Sequence, residues 1–314
     1  MAEPPISVCI PVYNGERWLG EAIGSVLGQT LSGFELLIVD NHSSDGSFGV
    51  ACEAARRDDR VRVVENPETI GAVANHNRCL ELAEGELLKF LHHDDRLRSD
   101  CLERMAVVFE GNQRVGLVFS RREILLDDPD DPSTQAWKRA HENLHFGFAE
   151  LAAVNDGRTL LRQYLPTFGE PEFANWIGEP SAVMVRRSAV ERAGGFDERV
   201  RQSFDVELWL RLLAAHDVGF VDEPLVTFRH HGGSLTAKIA TRKDDWLDRL
   251  WIFESLLEDP ALASDYPRIK HFRRRELSRV TKHQLGRLVR GNRDLRPLAG
   301  YLRHRVGRGL RGRF

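Results

Sequence analysis

The stretch KFLHHDDRL, Lys89 to Leu97, sets two imidazoles and two carboxylates side by side where an apolar run stops. Four adjacent ionisable side chains do nothing for a core, because each must be solvated, paired or bound to avoid a penalty of several kcal/mol. Either the strand ends in solvent there or something cationic sits on it. Asp94 and Asp95 are hard oxygen ligands of the kind Mg2+ and Mn2+ take, usually one or two carboxylates with phosphate oxygens completing the shell. A surface turn would read the same way. Farther along, Asp205 opens a helix that carries Leu208, Trp209, Leu212 and Leu213. An acid there is either an N-terminal cap or, at a pocket edge, a base for an incoming hydroxyl. His230 and His231 end a strand just before Gly232 and Gly233, where a ring either reaches a bound metal or phosphate or is simply wet.

The elements that must position these residues alternate two periods. ISVCIPV, FELLIVD, RVRVVE, GELLKFL and VGLVFS read as strands. Between them lie helical stretches, the first from Glu16 to Leu27 with Trp18, Leu19, Ala22, Ile23, Val26 and Leu27 on one face and Gly28 at its end. Continuous apolar strands separated by helices predict a mainly parallel α/β sheet covered on both faces. Ligands of such sheets bind beyond the carboxyl ends of the strands, and PVYNGE, VDNHSSDGS and HHDD all fall at those ends.

From Asp127 to about Gly178 the pattern dissolves into an expected insertion with some helix, placed where a substrate-specific lobe would sit. Regularity returns with SAVMVRR, a helix from Ser188, a helix from about Phe204 to Ala214 and the strand LVTFRHH. Past residue 236 the chain reads as helical, with Trp246, Leu250, Phe253 and Leu257 at helical spacing. The expected organisation is therefore a catalytic α/β domain over 1–236 and a helical, Arg-rich extension over 237–314.

Hydrophobic residues at 42% and charged residues at 29% are ordinary for a globular chain of 314 residues, which argues against wholesale disorder. Charge is segregated. Arg268 to Phe314 carries 16 Lys and Arg against two acids, a balance of +14, which leaves −17 on the preceding 267 residues. A basic segment beside an acidic body suits a polyanionic surface or docking back onto the body. Because it mixes Leu and Val with Arg and has few aromatics for base stacking, an anionic membrane is the expected partner, not nucleic acid. Cys9, Cys52, Cys79 and Cys101 have no paired spacing and read as reduced thiols. With no leader-like opening and no run of some 18 apolar residues, the expectation is a cytoplasmic protein, peripheral at the inner membrane face.

In chain order these segments resemble the family 2 glycosyltransferases. VCIPVYNGERWLGEAIGSVLGQT is similar to the family's opening nucleotide-binding strand and helix, and ELLIVDNHSSDGS to its second strand with its acid. GAVANHNRCLELAEGELLKFLHHDDRL resembles the segment that leads into the Asp-any-Asp metal motif. GEPSAVMVRRSAVERAGGFDERVRQSFDVELWLRL and VTFRHHGGSLT resemble the acceptor-side helix and the closing His loop. The match runs from Ile6 to Thr236 apart from the insertion. It implies a GT-A fold and inverting, Mn2+- or Mg2+-dependent transfer of one sugar from a nucleotide-diphosphate donor, a UDP-sugar, to a saccharide or lipid-linked hydroxyl.

That resemblance implies donor contacts at Pro11, Tyr13, Glu16, Asp40, Asn77, His93 and Asp94, with Tyr13 packed on the base and Asp40 reading its edge. It implies metal ligation by Asp94, Asp95 and His231, and Asp205 as general base. Three positions depart from the family pattern. His92 or His93 replaces the first acid of the metal motif, which either weakens a hard-metal site or supplies a nitrogen ligand. Phe204 replaces the acid that commonly precedes the base, and His76 stands where Arg is frequent. The alternative is a catalytically inactive sugar-nucleotide- or membrane-binding relative. A Rossmann oxidoreductase is disfavoured because PVYNGE occupies the place of a Gly-x-Gly-x-x-Gly. Without a Gln-x-x-Arg-Trp after Asp205, processive polymer synthesis is not expected.

Overall fold

A computed structural model of the chain describes residues 5–167, 175–233, 245–289 and 296–311. The expected alternation is present: β1 (Ile6–Val12), α1 (Glu16–Leu27), β2 (Phe34–Asp40), α2 (Ser47–Arg57), β3 (Val61–Glu65), α3 (Ala72–Leu82), β4 (Leu87–Phe90), the short β5 (Arg96–Leu97), α4 (Cys101–Phe109) and β6 (Val115–Leu126). The stretch expected as an insertion holds α5 (Pro132–His141), β7 (Val154–Asn155) and α6 (Gly157–Tyr164). β8 (Val183–Arg186), α7 (Arg187–Ala193), α8 (Phe204–Ala215) and β9 (Asp217–His230) follow, then α9 (Asp245–Glu258), α10 (Tyr266–Val289) and α11 (Arg296–Arg311).

Among the described residues the strands form one sheet in the order β3-β2-β1-β4-β8-β6-β9-β5, with β7 paired to β9. β1, β2, β3 and β4 are mutually parallel, with Ile6 opposite Phe34 and Leu87. VGLVFS runs in the direction of the parallel series but is not hydrogen-bonded next to β4. β8 lies antiparallel between β4 and β6, so the sheet is mixed. The chain leaves the sheet after β6 and, beyond the 127–178 excursion, re-enters at the same end, so that the strand it inserts runs the opposite way.

Period-two alternation distributes each strand's apolar residues between two cores. Ile6, Val8 and Ile10 of β1 pack with Leu19, Ile23 and Val26 of α1, while Cys9 joins Leu37, Val39 and Cys79 on the other face. This double burial is why the parallel strands read as continuous apolar runs. Ile252, Phe253, Leu256, Leu262 and Ile269 belong to the same core as α8. The expected boundary near residue 236 falls in 234–244, outside the described residues, as do parts of the Arg-rich tail.

Part of that tail docks on the body. Arg273 reaches Glu254 at 3.1 Å and the Tyr301 hydroxyl donates to Glu254 at 2.6 Å. The four cysteines are free thiols.

Candidate active site

The carboxyl ends of β1, β2 and β4 open into a cleft of about 500 Å3, which Asp205 and His231 reach from the far half of the sequence. Its floor is built by lacing two loops together. Gly15 N donates to Ser47 Oγ at 2.8 Å, Ser44 N to Asn14 Oδ1 at 2.9 Å and Gly46 N to Glu16 Oε2 at 2.9 Å. Asn14 takes a left-handed φ of 52° at this turn, a conformation Asn tolerates better than most residues. Gly15 is glycine for a steric reason, since a Cβ there would lie 2.4 Å from the His93 ring.

Pro11, Tyr13, His93, Asp94, Asp205 and His231 all line the cleft. Tyr13 is 49% exposed, an aromatic face standing free at the rim. The other expected residues are held differently. Asp40 is buried and accepts from Ser43 through its backbone N at 2.8 Å and its hydroxyl at 2.6 Å, while Asn41 beside it faces the cleft. Asn77 spends its amide on the Phe196 backbone, donating to the carbonyl at 3.0 Å and accepting from N–H at 2.9 Å. Glu16 braces Gly46. Neither Asp40, Asn77, Glu16 nor Asp95 is among the residues that line the cleft.

Among the described residues His92, Asp94 and Asp95 form a cluster whose ligand atoms all lie within 4.8 Å of one another. Burial opposes ionisation of Asp94, but a hydrogen bond from His231 Nε2 at 3.0 Å and the adjacent His93 and His92 bring its pKa down to about 2. Gly233 N donates to the other ring nitrogen of His231 at 3.2 Å, so that imidazole is fixed in orientation. His231 therefore braces Asp94 and stands outside the three-residue cluster.

Asp95 is 1% exposed. Burial, with the Asp94 charge beside it, holds its carboxyl well above the usual range. Oδ1 accepts from Arg229 N at 2.9 Å, and Oδ2 is buried with no hydrogen-bond partner. Such an orphaned acceptor is costly unless a cation or proton meets it. The donor set, one buried carboxylate, one ionised carboxylate and an imidazole, fits a divalent cation.

Elsewhere on the cleft, Asp205 sits in the first turn of α8, preceded by Ser203 as N-cap. Both readings of this acid had merit, because Oδ1 does accept from Val206 N at 2.8 Å. Yet the carboxyl faces the cleft, and burial, reinforced by the nearby Glu179 charge, pushes its pKa up to about 7.

Three residues with no assigned role in the sequence reading complete the surroundings. Asn175 Nδ2 donates to Asp205 Oδ2 at 2.9 Å, while its Oδ1 accepts from Gly178 N at 3.0 Å. Glu179 lines the cleft and pairs with Arg122 at 2.5 Å. Lys89 is fully buried inside β4, donating to the Ser181 and Val183 carbonyls, and burial lowers its pKa to about 8. A lysine within an apolar strand was the available signal for Lys89. Asn175 and Glu179 lie at the end of an aperiodic stretch that offered none.

Comparison with known proteins agrees with this architecture. The family model described as Glycosyl transferase family 2 matches residues 7–194, and the chain belongs to that family. An uncharacterized Mycobacterium tuberculosis (strain CDC 1551 / Oshkosh) protein, MT1568, is 37% identical over 259 residues, covering 82% of this chain and 77% of its own. The uncharacterized glycosyltransferase EpsJ of Bacillus subtilis (strain 168) is 28% identical over 237 residues, 74% of this chain and 63% of its own.

Among solved structures, residues 1–349 of S. aureus TarS in complex with UDP-GlcNAc align with a TM-score of 0.63 at 17% identity, over 84% of this chain and 70% of that one. The mannosyltransferase PcManGT of Pyrobaculum calidifontis, in complex with GDP-Man and Mn2+, aligns at 0.55 and 17% identity over 99% and 81%. These likenesses establish the GT-A-type fold. The protein is a glycosyltransferase.

Proposed function

We propose that the protein transfers one sugar from a nucleoside-diphosphate sugar, a UDP-sugar, to an acceptor hydroxyl with inversion, using a divalent cation. The observation that carries this is the placement of two unlike acidic centres on one cleft: Asp94, backed by the buried Asp95, and Asp205. A divalent ion held by Asp94 and Asp95 supplies electrostatic stabilisation of the leaving diphosphate. Everything else is done by the chain. Tyr13 offers a stacking face for the base, with Pro11 and Asn41 bordering it; His93 lies where the diphosphate would pass; and His231 keeps Asp94 ionised and aimed.

Asp205 then takes the proton from the acceptor hydroxyl as it attacks the anomeric carbon from the face opposite the leaving group. A carboxylate near pKa 7 is matched to that task at neutral pH. The alternative, an inactive relative, gives no reason for a carboxyl held at that value against the cleft. The lobe over 127–178 selects the acceptor in this reading. α10 and α11 bring the enzyme to a lipid-linked acceptor at an anionic surface; no helix among the described residues is long and apolar enough to cross a membrane.

The deciding experiment is a screen of nucleotide sugars with Mn2+ by thermal shift, followed by a transfer assay. A donor at 100 times its Kd stabilises by about 2.7 kcal/mol. Failure of every donor to raise the melting temperature would sink the reading.

A further inference from the structure

The two departures at positions 76 and 92 are joined in space. His76 is buried on α3 among aromatic rings, with Phe90 and Phe204 at centroid distances of 5.4 and 5.0 Å. Its Nδ1 lies 2.8 Å from the Ala72 carbonyl, and its Nε2 lies 3.4 Å from Nε2 of His92. A carbonyl only accepts, so Nδ1 of His76 carries the hydrogen. The ring is 5% exposed, enclosed by Phe90, Phe196 and Phe204, and among the described residues no carboxylate is paired with it to favour a second proton. Nε2 of His76 is therefore an acceptor, and Nε2 of His92 must be the donor. The remaining nitrogen of His92, Nδ1, is left with a bare lone pair.

That lone pair faces Asp95. Nδ1 of His92 is 3.9 Å from Asp95 Oδ2, the buried oxygen that has no hydrogen-bond partner. This is too long for a hydrogen bond. It is within the span of two ligands of one ion, since bonds of about 2.0–2.2 Å place ligand atoms between roughly 3 Å and 4.4 Å apart around the shell. Asp94 closes the cluster.

We infer that His92 is a nitrogen ligand of the cation site, held in its Nδ1-coordinating tautomer by the positioning residue His76, and that the site prefers Mn2+ over Mg2+. The inference rests on the reading of this cleft as a nucleotide-sugar site. An imidazole adds a borderline-soft donor that favours transition metals, whereas Mg2+ is best served by oxygen alone. The chain from Ala72 through His76 to His92 is the outer support that metal-binding histidines use to fix ring orientation, and its loss typically costs 10- to 100-fold in metal affinity.

The test uses the full chain stripped of metal and titrated with Mn2+ followed by electron paramagnetic resonance, with Mg2+ as competitor and no donor present. Expected are 14N modulation from a directly bound imidazole in the spin-echo spectrum and Mn2+ binding at least about tenfold tighter than Mg2+. His92→Asp should abolish the nitrogen signal and shift the preference toward Mg2+. His76→Phe, which preserves the aromatic packing, should weaken Mn2+ binding by about tenfold or more while His92 remains.

Should the His76 variant misfold, the half-buried His92 position carries the test alone. Bound Mn2+ without nitrogen modulation overturns the inference, as does an unchanged metal preference in His92→Asp or an absence of metal binding with and without UDP. If UDP-sugar still binds in any of those cases, the transferase reading survives and only this ligand assignment fails.

Discussion

Asn175 donates its amide hydrogen to Asp205 Oδ2 at 2.9 Å, and the same side chain accepts Gly178 N–H at 3.0 Å. The hydrogen bond favours the ionised carboxylate against the burial that disfavours it. Replacing Asn175 by Ala should therefore move the acidic limb of the activity profile to higher pH and lower activity at pH 7. A profile that superimposes on the parent's would contradict this.

The carboxyl of Asp205 itself sets the pH dependence. With its pKa pushed up to about 7 by burial, the base is ionised only above that value. We expect kcat/KM to fall about tenfold per pH unit below roughly 7 and to level off above it. A flat profile between pH 5 and 8 would remove Asp205 from the proton transfer.

Asp205→Asn should lower turnover by about 10^2- to 10^4-fold while donor binding by calorimetry is retained. Its effect on stability has a definite sign. A carboxyl whose folded pKa is raised favours folding most below its unfolded value and loses that contribution as pH rises toward 7. The neutral amide should match or exceed the parent's melting temperature at pH 8, and a clear drop there would mean that the ionised form is structurally required.

Chelation and Asp94→Asn should act on the same step. Removing the charge braced by His231 at 3.0 Å should abolish Mn2+-dependent stabilisation by donor and reduce transfer by at least about 100-fold. Full activity in excess EDTA would exclude a cation from the mechanism.

A structural prediction concerns the buried pair beneath α8. Glu207 is fully buried, receives Arg211 Nε and Nη2 at 2.6 Å each, and is also bonded by the Ser255 hydroxyl of α9. Arg211 in turn donates to the Ala193 and Gly195 carbonyls. Glu207→Ala leaves a guanidinium uncompensated in the core and should cost about 3–5 kcal/mol in chemical denaturation. A loss below about 1 kcal/mol would show that water reaches this network.

The sequence by itself determined the strand-helix alternation of the first 120 residues and the edge at which the chemistry gathers. Burial on both faces writes apolar runs directly into the chain, and HHDD falls where such a run ends. It also carried the family resemblance, which the match over residues 7–194 bears out. Residue types alone marked Asp94, Asp95 and Asp205 as groups that need a reason to be where they are.

Only the tertiary structure decided what each of them faces. Periodicity records whether a side chain is buried but says nothing of its partner, so the contact of His231 with Asp94 across 137 positions was not legible. Nor was the inward turn of Asp40 and Asn77, whose polar groups are taken by nearby backbone. The antiparallel β8, the brace of Asn175 on Asp205 and the imidazole pair of His76 and His92 all depend on how the excursion after β6 returns to the sheet. That return is fixed by packing between distant segments, which no local pattern encodes.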